Sequence, residues 1–180
     1  MARVPYIAPE DFPENFRGLI SSDANITRAL ANSPNVALQS GTVARYIREK
    51  SRLDPRLREL AIIQVGYTAK SAYEYSHHIE IGLRYGVSGA DIRAIALESK
   101  GQPSDLEPLA KCVLRAAREM TTNLAISDAT FAELKLDLDN ERLVELIFAI
   151  ATYNGVVRML ESLKVDVEPK YQQYLERFPL

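Results

Sequence analysis

A succession of helix-start signals divides this chain into capped segments that leave little room for a sheet. Ser33-Pro34 and Asp54-Pro55 each place a capping side chain before a proline at the first helical position. Ser71-Ala72-Tyr73-Glu74 and Ser88-Gly89-Ala90-Asp91 read as capping boxes, in which the serine hydroxyl caps the third amide and the acid reaches back to the cap amide. Ser127 and Asp139 start two further helices, the first ending near Leu136. Between these signals apolar residues recur at helical spacing, as in Leu60, Ile63 and Tyr67, in Leu109, Val113, Ala116 and Met120, and in Leu143, Leu146, Ile147 and Ile150. Lys50, Gly86 and Gly101 mark helix ends, and Pro169 opens a last helix with Tyr171, Tyr174, Leu175 and Phe178 on its apolar side. No stretch alternates with period two, and there is no glycine-rich phosphate loop. The expected fold class is all-α.

The 180 residues suit one domain with a core large enough to need no staples. Pro5, Pro9 and Pro13 punctuate a weakly periodic start, so residues 1–32 read as an arm with short helical turns over a single helical domain at 33–180. A formal charge of −2 with acids and bases interspersed gives no basic stripe, which sets nucleic acid aside as a partner. One cysteine, Cys112, excludes an intrachain disulfide and is most simply a small core residue. The start ARVPYIAPEDF lacks a basic region followed by an apolar one, so a cytoplasmic protein is the expectation. Leu143 to Leu163 is the most apolar long run, yet Glu145, Asn154, Arg158 and Glu161 interrupt it. It reads as a buried helix, not a membrane span.

Chemistry concentrates between Arg58 and Gly86, in RELAIIQVGYTAKSAYEYSHHIEIGLRYG. Ser71, Glu74, Tyr75 and His78 stand at i, i+3, i+4 and i+7, on one helix face. If the helix carrying Glu59 packs antiparallel to theirs, Glu59, Glu74 and His78 converge on a small pocket. Glu59 alternatively forms a surface ion pair with Arg56, one turn earlier; Ile62 and Ile63 beside it argue for burial, where His78 becomes its partner. His77 is turned about 100° from His78 and is assigned to solvent or an interface. Asn154 and Arg158 prolong the apolar stripe of the long helix, either to bind a carboxylate or to tie helices together. Tyr73, Tyr75 and Tyr153 read as packing residues with a polar edge, Tyr75 also as a pocket wall. Glu74 and His78 with Glu59 also offer a possible metal-ligand set, which is the rival reading.

RELAIIQVG followed by YEYSHHIEIGLRYGVS resembles the core of the carboxymuconolactone decarboxylase and alkylhydroperoxidase D-like superfamily, and ATYNGVVRMLESLKVDVE resembles the closing helix of its longer members. The resemblance covers most of the chain. It implies an alkylhydroperoxidase D-like helical bundle in which an antiparallel helix pair carries the site. The peroxidase branch has a Cys-x-x-Cys pair at the start of the second helix, followed four residues later by histidine; here those places hold Ser71, Glu74 and His78. A serine hydroxyl cannot cycle through a sulfenic acid or disulfide, so thiol peroxidase activity is not expected. What the resemblance implies instead is a decarboxylase-like lyase that needs no cofactor and no metal. Its acid/base chemistry would be decarboxylation or a related proton transfer on a small carboxylic acid or lactone, as in aromatic compound catabolism. Glu59, His78 and Glu74 would be catalytic, with Ser71, Tyr75, Asn154 and Arg158 binding substrate. The resemblance also implies a homo-oligomer, a dimer, trimer or hexamer. The alternatives are a divergent alkylhydroperoxidase-like protein without thiol activity and a non-catalytic ligand-binding or scaffold protein.

Overall fold

The computed structural model describes residues 2–16 and 23–180. Its α-helices are α1 (Asn25–Leu30), α2 (Pro34–Glu49), α3 (Pro55–Thr68), α4 (Ala72–Arg84), α5 (Gly89–Ser99), α6 (Pro108–Thr122), α7 (Asp128–Asp137), α8 (Asn140–Leu163) and α9 (Gln172–Arg177). The described residues contain no strand, so the fold is all-α.

The helices begin where the caps place them, although the caps work unevenly. Asp54 accepts a hydrogen bond from the Leu57 amide at 3.0 Å, and Ser88 and Asp91 form a complete reciprocal box. Ser33 and Ser71 occupy cap positions without a side-chain cap bond. The capping box expected at Ser71–Glu74 therefore does not form, because the Glu74 carboxylate turns to His78. Pro169 opens a 3₁₀ turn, Pro169–Tyr171, and α9 follows it.

α3 is the central helix, with α4, α6, α8 and α5 packed around it. From Leu57 to Tyr67 every residue is buried, so this helix has no outward face. Gly66 permits a close approach between α3 and α4: a Cβ there would lie 2.8 Å from the Tyr75 backbone nitrogen. The glycine thus brings the start of α4 onto the last turn of α3 and tightens the packing of that turn.

α8 has the length and hydropathy of a membrane-crossing helix by those two measures. Leu146, Ala149, Ile150 and Val157 nevertheless lie in the protein core. Glu145 on the same helix accepts hydrogen bonds from the Tyr46 and Ser51 hydroxyls and the Arg52 and Leu53 amides at 2.8–3.0 Å. Those bonds replace the water this half-turn of helix excludes.

Both ends of the described chain meet on one flank. Arg3 N–H donates to the Leu163 carbonyl at 2.8 Å and Asp166 N–H to the Tyr6 hydroxyl at 2.8 Å. A second apolar cluster of Ala29, Tyr73, Leu160 and Val165 fills the space beneath them, with Val4, Tyr6 and Ile26 packed against it.

Candidate active site

The antiparallel α3/α4 pair buries a charged cluster. Glu59, 0% exposed, and His78, 5% exposed, face each other with Glu59 Oε2 2.7 Å from His78 Nδ1. The other Glu59 oxygen accepts from Arg58 Nε at 2.9 Å. Arg58 is itself buried, its Nη1 donating to the Ile47 and Arg48 carbonyls at the end of α2 and its guanidinium lying 4.8 Å from the centre of the Tyr85 ring. Each carboxylate oxygen of Glu59 thus has its own cation. Glu74 completes the line, its Oε1 3.0 Å from His78 Nε2.

These contacts decide the protonation states. Burial disfavours a charged imidazole, but the carboxylates of Glu74 and Glu59 outweigh it and hold the His78 pKa up at about 9. Burial likewise pushes Glu59 toward the neutral acid, and the positive charges of His78 and Arg58 reverse that, leaving its pKa below the ordinary value. At neutral pH the cluster is an imidazolium between two carboxylates, its Nδ1 hydrogen-bonded to Glu59 and its Nε2 in ion-pair contact with Glu74.

The cluster opens into a cavity of about 780 Å³ between α1, α2, α4 and α8, and Glu74, His78, Tyr153, Arg45, Arg48 and Arg84 are among its walls. Tyr153 meets the His78 ring edge-on, centroids 4.7 Å apart. Burial, together with the nearby Glu74 and Glu59 charges, keeps its hydroxyl protonated. Glu74 Oε2 accepts no hydrogen bond among the described residues, and Glu74 lines the cavity wall.

The expected convergence of Glu59, Glu74 and His78 is what the fold produces; the other candidates lie elsewhere. Ser71 is fully buried, its hydroxyl without a hydrogen-bond partner, and it lies outside the cavity wall. Tyr75, also outside that wall, packs against Tyr67 with ring centroids 5.8 Å apart. Asn154 donates to the Thr121 hydroxyl at 3.1 Å, and Arg158 Nη1 to Asn154 Oδ1 at 3.0 Å. Arg158 borders a separate cleft with Thr68, Thr121 and Glu161, because five residues along α8 turn its side chain about 140° away from Tyr153's direction.

His77 is not at the solvent. Its ring is stacked between Tyr73 and Tyr171, at centroid distances of 3.9 and 3.5 Å, and its Nε2 lies 2.9 Å from Glu168 Oε2. The rotation from His78 holds, but the C-terminal segment covers the face it points to. Glu59 does not pair with Arg56, which binds Asp91 and Glu107 instead. The metal reading loses its geometry as well: Glu59 and Glu74 close on opposite nitrogens of one ring, not on a common point. Arg58 and Arg48 went unread in the sequence. The signal for Arg58 was an arginine flanked by Leu57 and Leu60 beside the buried Glu59; nothing local marked Arg48.

Residues 35–100 match the carboxymuconolactone decarboxylase family, a span that includes Arg48, Glu59, Glu74 and His78. The fold around that span is shared by alkylhydroperoxidase-like structures. Over that segment the chain is similar to the carboxymuconolactone decarboxylase family, and over most of its length it shares the alkylhydroperoxidase D-like fold. One similar structure is an alkylhydroperoxidase AhpD core, an uncharacterized peroxidase-related protein from Ralstonia eutropha JMP134, with TM-score 0.81, 15% identity and 94% of each chain covered. Another is a cysteine-to-alanine variant of the debrominase Bmp8 in complex with 2,3,4-tribromopyrrole, with TM-score 0.82, 18% identity, and coverage of 99% of this chain and 100% of that one. A third is an uncharacterized peroxidase-related protein from Silicibacter sp. TM1040, with TM-score 0.77, 14% identity, and 94% and 92% coverage. At these identities the likeness establishes the fold. No curated protein matches the chain in sequence.

Proposed function

We propose that this protein is a cofactor-free acid/base enzyme acting on a small carboxylated lactone or aromatic-derived compound, by decarboxylation or a related proton transfer. The observation that carries the reading is the line Glu59, His78, Glu74, which runs from the sealed core to the cavity. His78, with its pKa raised to about 9, starts each cycle as an acid at neutral pH.

In decarboxylation the bond to the carboxylate breaks, carbon dioxide leaves, and the electron pair stays behind as an enolate. A fixed imidazolium at the cavity edge stabilises that charge as it develops. The Nε2 proton, shared with Glu74, then goes to carbon. Glu59 holds the ring through Nδ1 and disfavours the neutral imidazole left behind, so His78 recovers a proton through Glu74 from solvent. Thiol chemistry finds no support: Ser71 and Glu74 occupy the two places where the peroxidase branch resembled in sequence keeps its thiols, and Cys112 is a buried residue of α6 whose thiol pKa burial raises. The tribromopyrrole held by the Bmp8 variant supports a small ring as the kind of molecule this fold accommodates.

The test is turnover of a panel of small lactone and aromatic acids, read by carbon dioxide release and by solvent deuterium entering the product. His78→Gln is expected to lower the rate about a hundredfold or more. Near-normal turnover in that variant overturns the reading. The proposal extends to self-association: Val144 and Phe148 leave an apolar outer face on α8, 64% and 42% exposed. Light scattering that reports a monomer at micromolar concentration would remove that part.

A further inference from the structure

The cavity walls carry charges of both signs, and most are balanced locally. Arg84 pairs with Glu80 one turn earlier on α4, His78 with Glu74, and Arg45 and Glu49 stand at i, i+4 on α2. Arg48 remains. Its carbonyl accepts from Arg58, but among the described residues its guanidinium meets no carboxylate. It lies on the α2 wall, half-buried, and its charge acts on the hydroxyl of Tyr153 on the α8 wall, against the influence of Glu74 and Glu59. That hydroxyl also makes no hydrogen bond among the described residues. A fork of guanidinium donors and an O–H donor therefore face one cavity, beside the ring nitrogen that carries the proton.

We propose that Arg48, assisted by the Tyr153 hydroxyl, is the carboxylate-binding subsite of this cavity and selects small ring acids over their neutral counterparts. The inference rests on the acid/base reading for its placement and goes beyond it by naming the group that anchors the substrate. The guanidinium fork matches both oxygens of a carboxylate, where a point charge would hold only one direction. Anchoring at α2 sets the ring of the bound acid across the cavity toward Glu74 and His78. Asn154 and Arg158, the pair expected to do this from sequence, already satisfy each other along another cleft.

The test measures binding, so it does not depend on turnover. Affinities of benzoate, 2-furoate and a butyrolactone carboxylate, each against its methyl ester, are measured by calorimetry on the full chain. The wild type should bind at least one acid roughly tenfold or more tighter than its ester, the effect of one charge-assisted pair. Arg48→Met should erase that preference while leaving ester affinity unchanged. Arg48→Lys should restore part of it, and Tyr153→Phe should reduce it by less than Arg48→Met does. The main-chain carbonyl that Arg58 uses survives every Arg48 substitution, and unchanged thermal unfolding confirms that each variant is folded. Equal affinity for acid and ester, a preference that persists in Arg48→Met, or no binding by any of the acids overturns the subsite. Loss of the acid/base reading would show separately, as full turnover in His78→Gln with the acid preference intact.

Discussion

His77 and His78 are neighbours in the chain, both buried, both within 3 Å of a carboxylate, and both on the cavity border. What separates them is the use made of the carboxylate. Glu168, the partner of His77, spends its second oxygen on the fold: Oε1 accepts from the Asn25 amide at 2.7 Å and the Tyr73 hydroxyl at 3.1 Å, and Tyr73 in turn accepts from the Ile26 amide. Two tyrosine rings cover both faces of the His77 imidazole. Glu74, beside His78, keeps its second oxygen for whatever enters the cavity. A buried histidine–carboxylate contact is therefore a latch in one case and, in the function proposed above, the end of a proton path in the other.

That contrast can be broken most severely at Glu59. Glu59→Ala leaves Arg58 and His78 as buried cations without their shared carboxylate, and is expected to cost about 3–5 kcal/mol by denaturant unfolding. A loss below about 1 kcal/mol would mean that the cluster is not what organises the α3/α4 pair. Gly66→Ala drives a methyl group against the Tyr75 backbone and should cost about 1–3 kcal/mol. Because it parts α3 from α4, it should also lower the His78 pKa, read by histidine NMR titration. His77→Ala should cost about 1–2 kcal/mol through the lost latch, and His78 should still titrate near 9. A His78 midpoint moved by a full unit would show that the two histidines are one system.

The pH dependences should run in opposite directions. His78 has its folded pKa raised from 6.5 to about 9, so its contribution is complete below 6.5 and is lost as pH rises through about 9. Glu168 is the reverse. Burial alone would raise its pKa, but His77 and the Asn25 amide bring it from 4.5 down to about 2, so the latch is complete above 4.5 and fails as pH falls through about 2. Unfolding free energies measured across both windows in wild type and His77→Ala should show the variant losing the acid-side dependence while retaining the alkaline one. The smallest effect belongs to Ser71→Ala. Losing an N-cap hydroxyl ordinarily costs about 1 kcal/mol, but this one has no partner, and the change should fall within about 0.5 kcal/mol of neutral.

The helices were legible because their starts are written locally. Asp54, Ser88 and Asp139 cap the amides two or three residues on, and no distant residue is needed to find them. The meeting of Glu59 and His78 was legible as well, since two helices joined by a short turn pack antiparallel. Ser71–Glu74 shows where local reading fails. The motif for a box is present, but a buried imidazolium one turn on attracts the glutamate more strongly than a backbone amide does. Arg58 was illegible because the carbonyls that receive it belong to the end of another helix. His77 read as a solvent or interface residue because Tyr171 and Glu168, which bury it, come from the far end of the chain. Of the two readings of Asn154 and Arg158 at the end of the apolar stripe, the tie between helices is the one their bonds fit, and Tyr153, one position before Asn154, takes the direction of the cavity.

Glu168 also orders events in time. Its bond to the Asn25 amide joins residues 143 positions apart, so when the chain is made from its N-terminus, α1 emerges long before the carboxylate that holds it. The charged cluster between α3 and α4 can assemble while synthesis continues, whereas the α1 wall of the cavity has to wait. A nascent chain of this protein therefore brings its charged α3/α4 cluster together first and closes the cavity beside it afterwards.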